Sequence, residues 1–230
     1  MFKKIPFVSA NGKVIRRMLK PLWWYMLRRT TKPLSNHYGF DRGTPIDRFY
    51  IEDFLEKNKL QIKGKCLEVL SNNYMKKFGA EKVTISDVID IDEQNKNATI
   101  LADLRDMPGV PSNNYDCIIL TQVLQFIDEP VQALREIHRI LKPGGYVLAT
   151  LPAVSRIDCT SGVAGDFWRF TQAGAHVLFK NFSDVKVANR GNCRSGMLFL
   201  AGVSQEEVSK KILEADDEQF PVIITVLAKK

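Results

Sequence analysis

Residues Tyr115–Pro152, YDCIILTQVLQFIDEPVQALREIHRILKPGGYVLATLP, constrain the fold of this chain more than any other stretch. An apolar run, Cys117–Leu120, is too short for a helix and stops at Thr121-Gln122. Asp128 then offers a helix cap, Pro130 suits a first turn, and Val131, Leu134, Ile137 and Leu141 recur at helical spacing. Lys142-Pro143-Gly144-Gly145 ends that helix, and Tyr146–Leu151 is a second apolar strand closed by Pro152. Strand, helix and strand in succession form a βαβ unit, which requires a parallel sheet with a right-handed crossover.

The alternation extends in both directions. Ile46–Asn58 reads as a helix with Ile46, Tyr50 or Ile51, and Phe54 or Leu55 inward. Cys66–Leu70, Lys82–Ile85, Ala98–Leu101, Tyr115–Leu120 and Tyr146–Leu151 read as five strands, with a short helix at Tyr74–Phe78 ending at Gly79. Thr171–Phe179 is a further helix, Val185–Ala188 a strand, Glu206–Leu213 a charged helix and Pro221–Ala228 a terminal strand. Periodicity alone therefore predicts an α/β sheet.

A chain of 230 residues, 45% hydrophobic and 26% charged, can bury a core without staples. No apolar run approaches the roughly 20 residues needed to span a bilayer, and the first residues lack a signal-peptide pattern. Cys66, Cys117, Cys159 and Cys193 form no CxxC or Cys/His cluster, which points to packing roles and a reducing, cytoplasmic compartment. The net charge of +7 is concentrated at one end. Residues 1–40 carry nine Lys or Arg and no acid, leaving 24 basic against 26 acidic residues in 41–230. The division is thus a basic amphipathic N-terminal extension, 1–40, and a domain, 41–230. Within the extension, Lys13–Arg29 gathers Val14, Ile15, Met18, Leu19, Leu22, Trp23 and Met26 on one half of a helix that Pro21 would kink. Three readings of residues 1–32 stand open. They are a peripheral contact with an anionic membrane surface on the inner face, a lid or homodimer helix, and, lowest, a nucleic-acid contact without any accompanying motif.

Arg139–Gly145 (RILKPGG) between two strands resembles the class I S-adenosylmethionine-dependent methyltransferases. GTPIDRFYIEDFL (Gly43–Leu55), SRID (Ser155–Asp158) and GDFWRFT (Gly165–Thr171) are similar to a type 11-like branch associated with glycosyltransferases and polysaccharide or glycolipid assembly. The resemblance covers residues 38–190 and implies a Rossmann-like, doubly wound, mostly parallel seven-stranded sheet with a late antiparallel pair. It implies S-adenosylmethionine as cofactor and O-methylation of a sugar, glycolipid or related small molecule; a catalytically inactive scaffold of the same fold is the alternative. A nicotinamide dehydrogenase is disfavoured because no GxGxxG follows the first strand.

By that resemblance, the cofactor is held by Glu68 and the loop Ser71, Asn72 and Asn73. Leu70, Asn72 and Tyr74 stand where relatives carry glycines, and Asn72 or Asn73 can take the left-handed backbone that such a turn needs. Asp87 follows the second strand as a ribose-binding acid. Asp103 with Leu104 contacts adenine, and Thr121 and Gln122 line the sulfonium side. Gln125-Phe126 replaces a histidine of many relatives. Arg156, Asp158, Asp166, Trp168 and Arg169 form the acceptor side, and His37, Tyr38 and Asp158 are the candidates for a general base. The competing reading pairs Asp166 and Arg169 with each other, or with Asp47 and Arg48. His138 and His176 read as structural, and no metal-ligand spacing occurs.

Overall fold

The computed structural model describes residues 30–158 and 165–230. The reading of Lys13–Arg29 and the role of Cys159 lie outside them. The first helix, α1 (Ile46–Lys57), follows Pro45 and buries Ile46, Tyr50, Ile51, Phe54 and Leu55 together, so both members of each alternative pair face inward. Strands β1 (Gly64–Val69), β2 (Val83–Asp90), β3 (Ile100–Leu101) and β4 (Tyr115–Thr121) follow, then α2 (Pro130–Ile140) and β5 (Leu141–Pro152). The last third holds α3 (Gln172–Leu178), β6 (Asp184–Arg190), α4 (Cys193–Leu200), α5 (Lys210–Leu213) and β7 (Ile223–Lys229).

The seven strands form one sheet in the order β3-β2-β1-β4-β5-β7-β6. Every pair among β1 to β5 is parallel, and β7 runs antiparallel to both β5 and β6. Helices cover both faces. Leu67, Ile118 and Leu120 enter one core with Leu134 and Ile137 of α2. Cys66, Cys117 and Ile119 enter the other with Tyr50, Phe54 and Phe199. Burial on both faces is why the central strands read as unbroken apolar runs. It also gives Cys66 and Cys117, register partners at 0% exposure, a packing role.

Several boundaries differ from the sequence expectation. β2 runs on past Ile85 because its partner β1 does: Leu67 pairs with Asp87 and Val69 with Ile89. In α2 the backbone cap is Glu129, while Asp128 accepts the Glu129 amide and pairs with Arg105. Val131 is 44% exposed, and the buried stripe is Ala133, Leu134, Ile137 and Ile140. The helix stops at Ile140, before the Lys-Pro-Gly-Gly segment, which belongs to β5. Residues 75–79 make a single π-helical turn, Met75–Gly79. Glu206–Leu213 divides into a 3-10 turn, Gln205–Glu207, and α5. Helix α4 has no counterpart in the sequence reading. Asn192 and Ser195 form a capping box at its start, and its Leu198 and Phe199 are buried. Among the described residues, no helix is long and apolar enough to cross a membrane.

Candidate functional site

The carboxyl ends of β1, β2, β4 and β5 converge on one edge of the sheet, where the strand order reverses between β1 and β4. Open parallel sheets bind ligands at such a point. Two cavities lie there. The first, of about 520 Å³, is walled by Asp90, Ile91, Ala102, Asp103, Leu104, Arg105 and Phe167. The second, of about 310 Å³, is walled by Tyr38, Asp47, Arg48, Glu68, Ser71, Tyr74, Thr121, Gln125 and Phe199. Val69, Leu70, Gln122, Phe126 and Asp158 line both, so the two form adjoining halves of one site.

The loop after β1 achieves its turn without glycine. Leu70 adopts φ +68° and Gln122, at the end of β4, φ +55°. The left-handed turn therefore falls on Leu70 and not on Asn72 or Asn73. Leu70 is held there from both sides: its amide donates to Ile89 O at 3.0 Å, and its carbonyl accepts from Asn95 Nδ2 at 2.8 Å. Glu68 builds the same loop from below. It is 2% exposed, and its two oxygens accept the amides of Tyr74 (3.2 Å) and Met75 (2.8 Å). Burial pushes its carboxyl up to about 7 against the opposing pull of those two amides. Ser71 faces the second cavity. Asn72 donates instead to Ser86 Oγ, Asn73 is exposed, and neither lines a cavity.

Asp87 lies in the middle of β2 and lines neither cavity. Its Oδ2 accepts the Tyr115 hydroxyl at 2.9 Å and lies 3.6 Å from Lys65 Nζ. The acid at the strand end is Asp90, which is buried on the wall of the first cavity. Its carboxylate accepts from the Asp92 amide (3.0 Å) and Asn95 Nδ2 (2.6 Å), orienting it in the loop. The apolar pair Val88-Ile89 just before it was the signal that the strand continues. Asp103 lines the same cavity with Leu104, and Arg105 grips it through Nε and Nη2 while reaching Asp128 at 2.6 Å. That guanidinium holds the Asp103 carboxyl below its ordinary value.

The acceptor side is rearranged more. Asp158 lines both cavities, whereas Arg156, Asp166, Trp168 and Arg169 line neither. The Asp166 side chain is only 1% exposed and pairs with Arg169 at 2.6 Å. Asp166 also accepts the Asp158 amide, and Arg169 donates to Arg156 O. The Trp168 indole N–H is taken by Ile127 O at 2.8 Å. These residues form a clasp that shapes the rim, and their neighbour Phe167 enters the wall. Arg48 takes no part in it, donating instead to the Tyr74 hydroxyl at 2.7 Å. The Arg156 guanidinium stacks 4.0 Å over the Tyr38 ring. Burial pushes the Tyr38 phenol up to about 12 although Arg156 opposes it, so Tyr38 offers a proton donor and not a base near neutrality. His37 is exposed and lines neither cavity. His138 stacks edge-on to Phe182 at 5.1 Å, and His176 is exposed on α3.

Two buried oxygens on the wall of the second cavity have no hydrogen-bond partner: Gln125 Oε1 and Asp47 Oδ1. The Gln125 amide is fixed in orientation because its Nε2 donates to Gln122 O at 3.0 Å. Its oxygen is therefore an open acceptor for a ligand O–H or N–H. Among the described residues, no three His, Cys, Asp or Glu side chains gather as a metal site.

Residues 65–149 match the family described as "Methyltransferase domain". Over 86 residues the chain is 35% identical to the ubiquinone/menaquinone biosynthesis C-methyltransferase UbiE of Escherichia fergusonii, a match covering 37% of this chain and 32% of that protein. The chain thus spans about a third of the length of the curated relatives it matches. Among solved structures, a SAM-dependent methyltransferase of Thermotoga maritima superposes with a TM-score of 0.52 at 16% identity, covering 94% of this chain and 98% of that one. The [4+2]-cyclase SpnF superposes with a TM-score of 0.54 at 14% identity, covering 98% and 97%. The fold is therefore the seven-stranded α/β fold found in SAM-dependent methyltransferases. SpnF shows that one such fold serves more than one chemistry, so activity has to be argued from the site.

Proposed function

We propose that this protein is a SAM-dependent methyltransferase acting on an oxygen of a sugar, glycolipid or related small molecule. The carrying observation is the pair of adjoining cavities at the switch point, with Asp90 at the end of β2 and an apolar slot of Ile91, Ala102, Leu104 and Phe126 beside it. An acid at that strand end is suited to accept both ribose hydroxyls, and a flat apolar slot suits a purine. The residues present therefore fit the cofactor. When bound, it supplies a methyl group on a sulfonium centre.

The chain's own work is then alignment and exclusion of water. Leu70 and Gln122 bring backbone from β1 and β4 to the junction of the cavities. The aromatic side chains of Phe40, Phe126 and Phe199 line the second cavity. Gln125 Oε1 accepts the hydrogen of the acceptor's nucleophile, which favours a hydroxyl over a carbon nucleophile. Asp158, on the wall of both cavities, is the carboxylate placed to take a proton. An anionic membrane surface engaging residues 1–32 would bring a lipid-linked acceptor to this edge.

The test is calorimetric titration of the full-length protein with S-adenosylmethionine and its demethylated product. It is followed by methyl transfer to glycoside and quinol acceptors, with release of the demethylated product as readout. Cofactor binding with transfer to glycoside hydroxyls is expected. No binding at millimolar cofactor would return the chain to the scaffold reading, and transfer to quinol carbon alone would reject the oxygen acceptor.

A further inference from the structure

Resting on the cofactor reading above, we propose that Asp47, from the first turn of α1, seats the α-ammonium of the cofactor's amino-acid end, with Arg48 beside it for the α-carboxylate. Glu68, at the end of β1, spends one oxygen each on the amides of Tyr74 and Met75 and so shapes the loop. Asp47 is the opposite case. Its Oδ1 is buried on the wall of the second cavity and accepts nothing from the protein. A buried carboxylate oxygen without a donor is costly, and the cost is offset when a ligand brings both a donor and a positive charge.

The neighbouring groups define which ligand group fits. Arg48 lines the same cavity, and its Nη1 is anchored on the Tyr74 hydroxyl at 2.7 Å, leaving four further guanidinium N–H groups. A carboxylate acceptor and a guanidinium from consecutive residues complement a zwitterionic amino-acid head, whose ammonium and carboxylate share one carbon. Ser71 of the β1 loop bounds the same space, so the head would lie between the loop and α1. Burial holds the Asp47 carboxyl above its ordinary value, although Arg48 opposes the shift. A cationic group arriving at Oδ1 favours the ionised form and reverses that shift.

The experiment compares two ligands that differ only at this end. S-adenosylhomocysteine carries the amino-acid head, and 5′-methylthioadenosine keeps the nucleoside and thioether without it. Full-length protein and Asp47→Asn are titrated with each by calorimetry, and both are melted without ligand. Asp47→Asn is expected to weaken S-adenosylhomocysteine at least about tenfold, to leave 5′-methylthioadenosine within about twofold, and to melt no lower than the unmodified protein. Equal losses on both ligands, or no loss on either, would overturn the assignment. A desamino analogue of S-adenosylhomocysteine, titrated on the unmodified protein, gives a second test that needs no variant. If it binds as tightly as the parent ligand, no seat for the ammonium exists. Failure of the unmodified protein to bind either nucleoside would instead overturn the cofactor reading itself, and this inference with it.

Discussion

Leu70 occupies a backbone region that side chains other than glycine enter at a cost of about 1–2 kcal/mol. At φ +68° it stays there because its amide and carbonyl are both fixed, to Ile89 O and Asn95 Nδ2. Replacing it with glycine removes that strain but loosens the unfolded chain, a loss of about 0.5–1 kcal/mol. The side chain is 55% exposed, so less than half of its burial energy is forfeited, about 1 kcal/mol. Leu70→Gly should therefore lie within about 1 kcal/mol of the unmodified protein. Leu70→Ala forfeits most of the same burial and keeps the strain, and should fall about 1 kcal/mol below it. The diagnostic is the order of the two variants, with glycine above alanine by about 0.5–1 kcal/mol, the reverse of the ordinary ranking. Urea unfolding of both at matched slopes reads this difference directly. An alanine variant as stable as the glycine variant would show that the turn relaxes without glycine, and that no strain is held at the junction of the two cavities.

Asp90→Asn should weaken S-adenosylmethionine at least about tenfold, about 1.4 kcal/mol, while Asp87→Asn stays within about twofold; calorimetry giving the opposite order would restore Asp87 to the site. Because Glu68 titrates near 7 when folded and near its ordinary 4.5 when unfolded, its contribution to stability is complete below pH 4.5 and is lost as pH rises through 7. Urea stability should therefore fall between pH 5 and 7.5, and Glu68→Gln should flatten the fall; identical profiles for the two proteins would contradict the buried titration. Arg169→Ala should cost about 3 kcal/mol, because it strands the buried Asp166 carboxylate. Lys57→Ala, whose lysine is 64% exposed in its pair with Asp53, should cost no more than about 0.5 kcal/mol, and equal costs in urea unfolding would refute the distinction.

The sequence by itself determined the sheet. Cys117–Leu120 is apolar at every position, and Tyr146–Leu151 at all but Thr150, because both faces of their strands are covered, and that demand is written locally. The inward stripe of α1 was legible for the same reason, since helical spacing and burial coincide along one element. Where a strand stops is a different matter, because its length is set by its partner. β2 reaches Asp90 because β1 offers pairing as far as Val69, and the only local trace of this is the apolar pair Val88-Ile89 beyond Asp87. That shift of a few residues moved the acid at the strand end from Asp87 to Asp90.

The acceptor side stayed open between two readings for a related reason. Charge at a predicted rim does not tell whether it faces a ligand or another side chain, and Asp166 with Arg169 spend their charges on each other. Loop composition was equally silent about backbone. Asparagine is the ordinary choice for a left-handed turn, yet Leu70 takes it, because hydrogen bonds from β2 and from the following loop fix its position. Propensity and periodicity act between residues near in sequence, and these determined the elements. The site is made of contacts between distant residues, Asp47 and Gln125 among them, and only tertiary structure decided which polar groups were satisfied and which were left for a ligand.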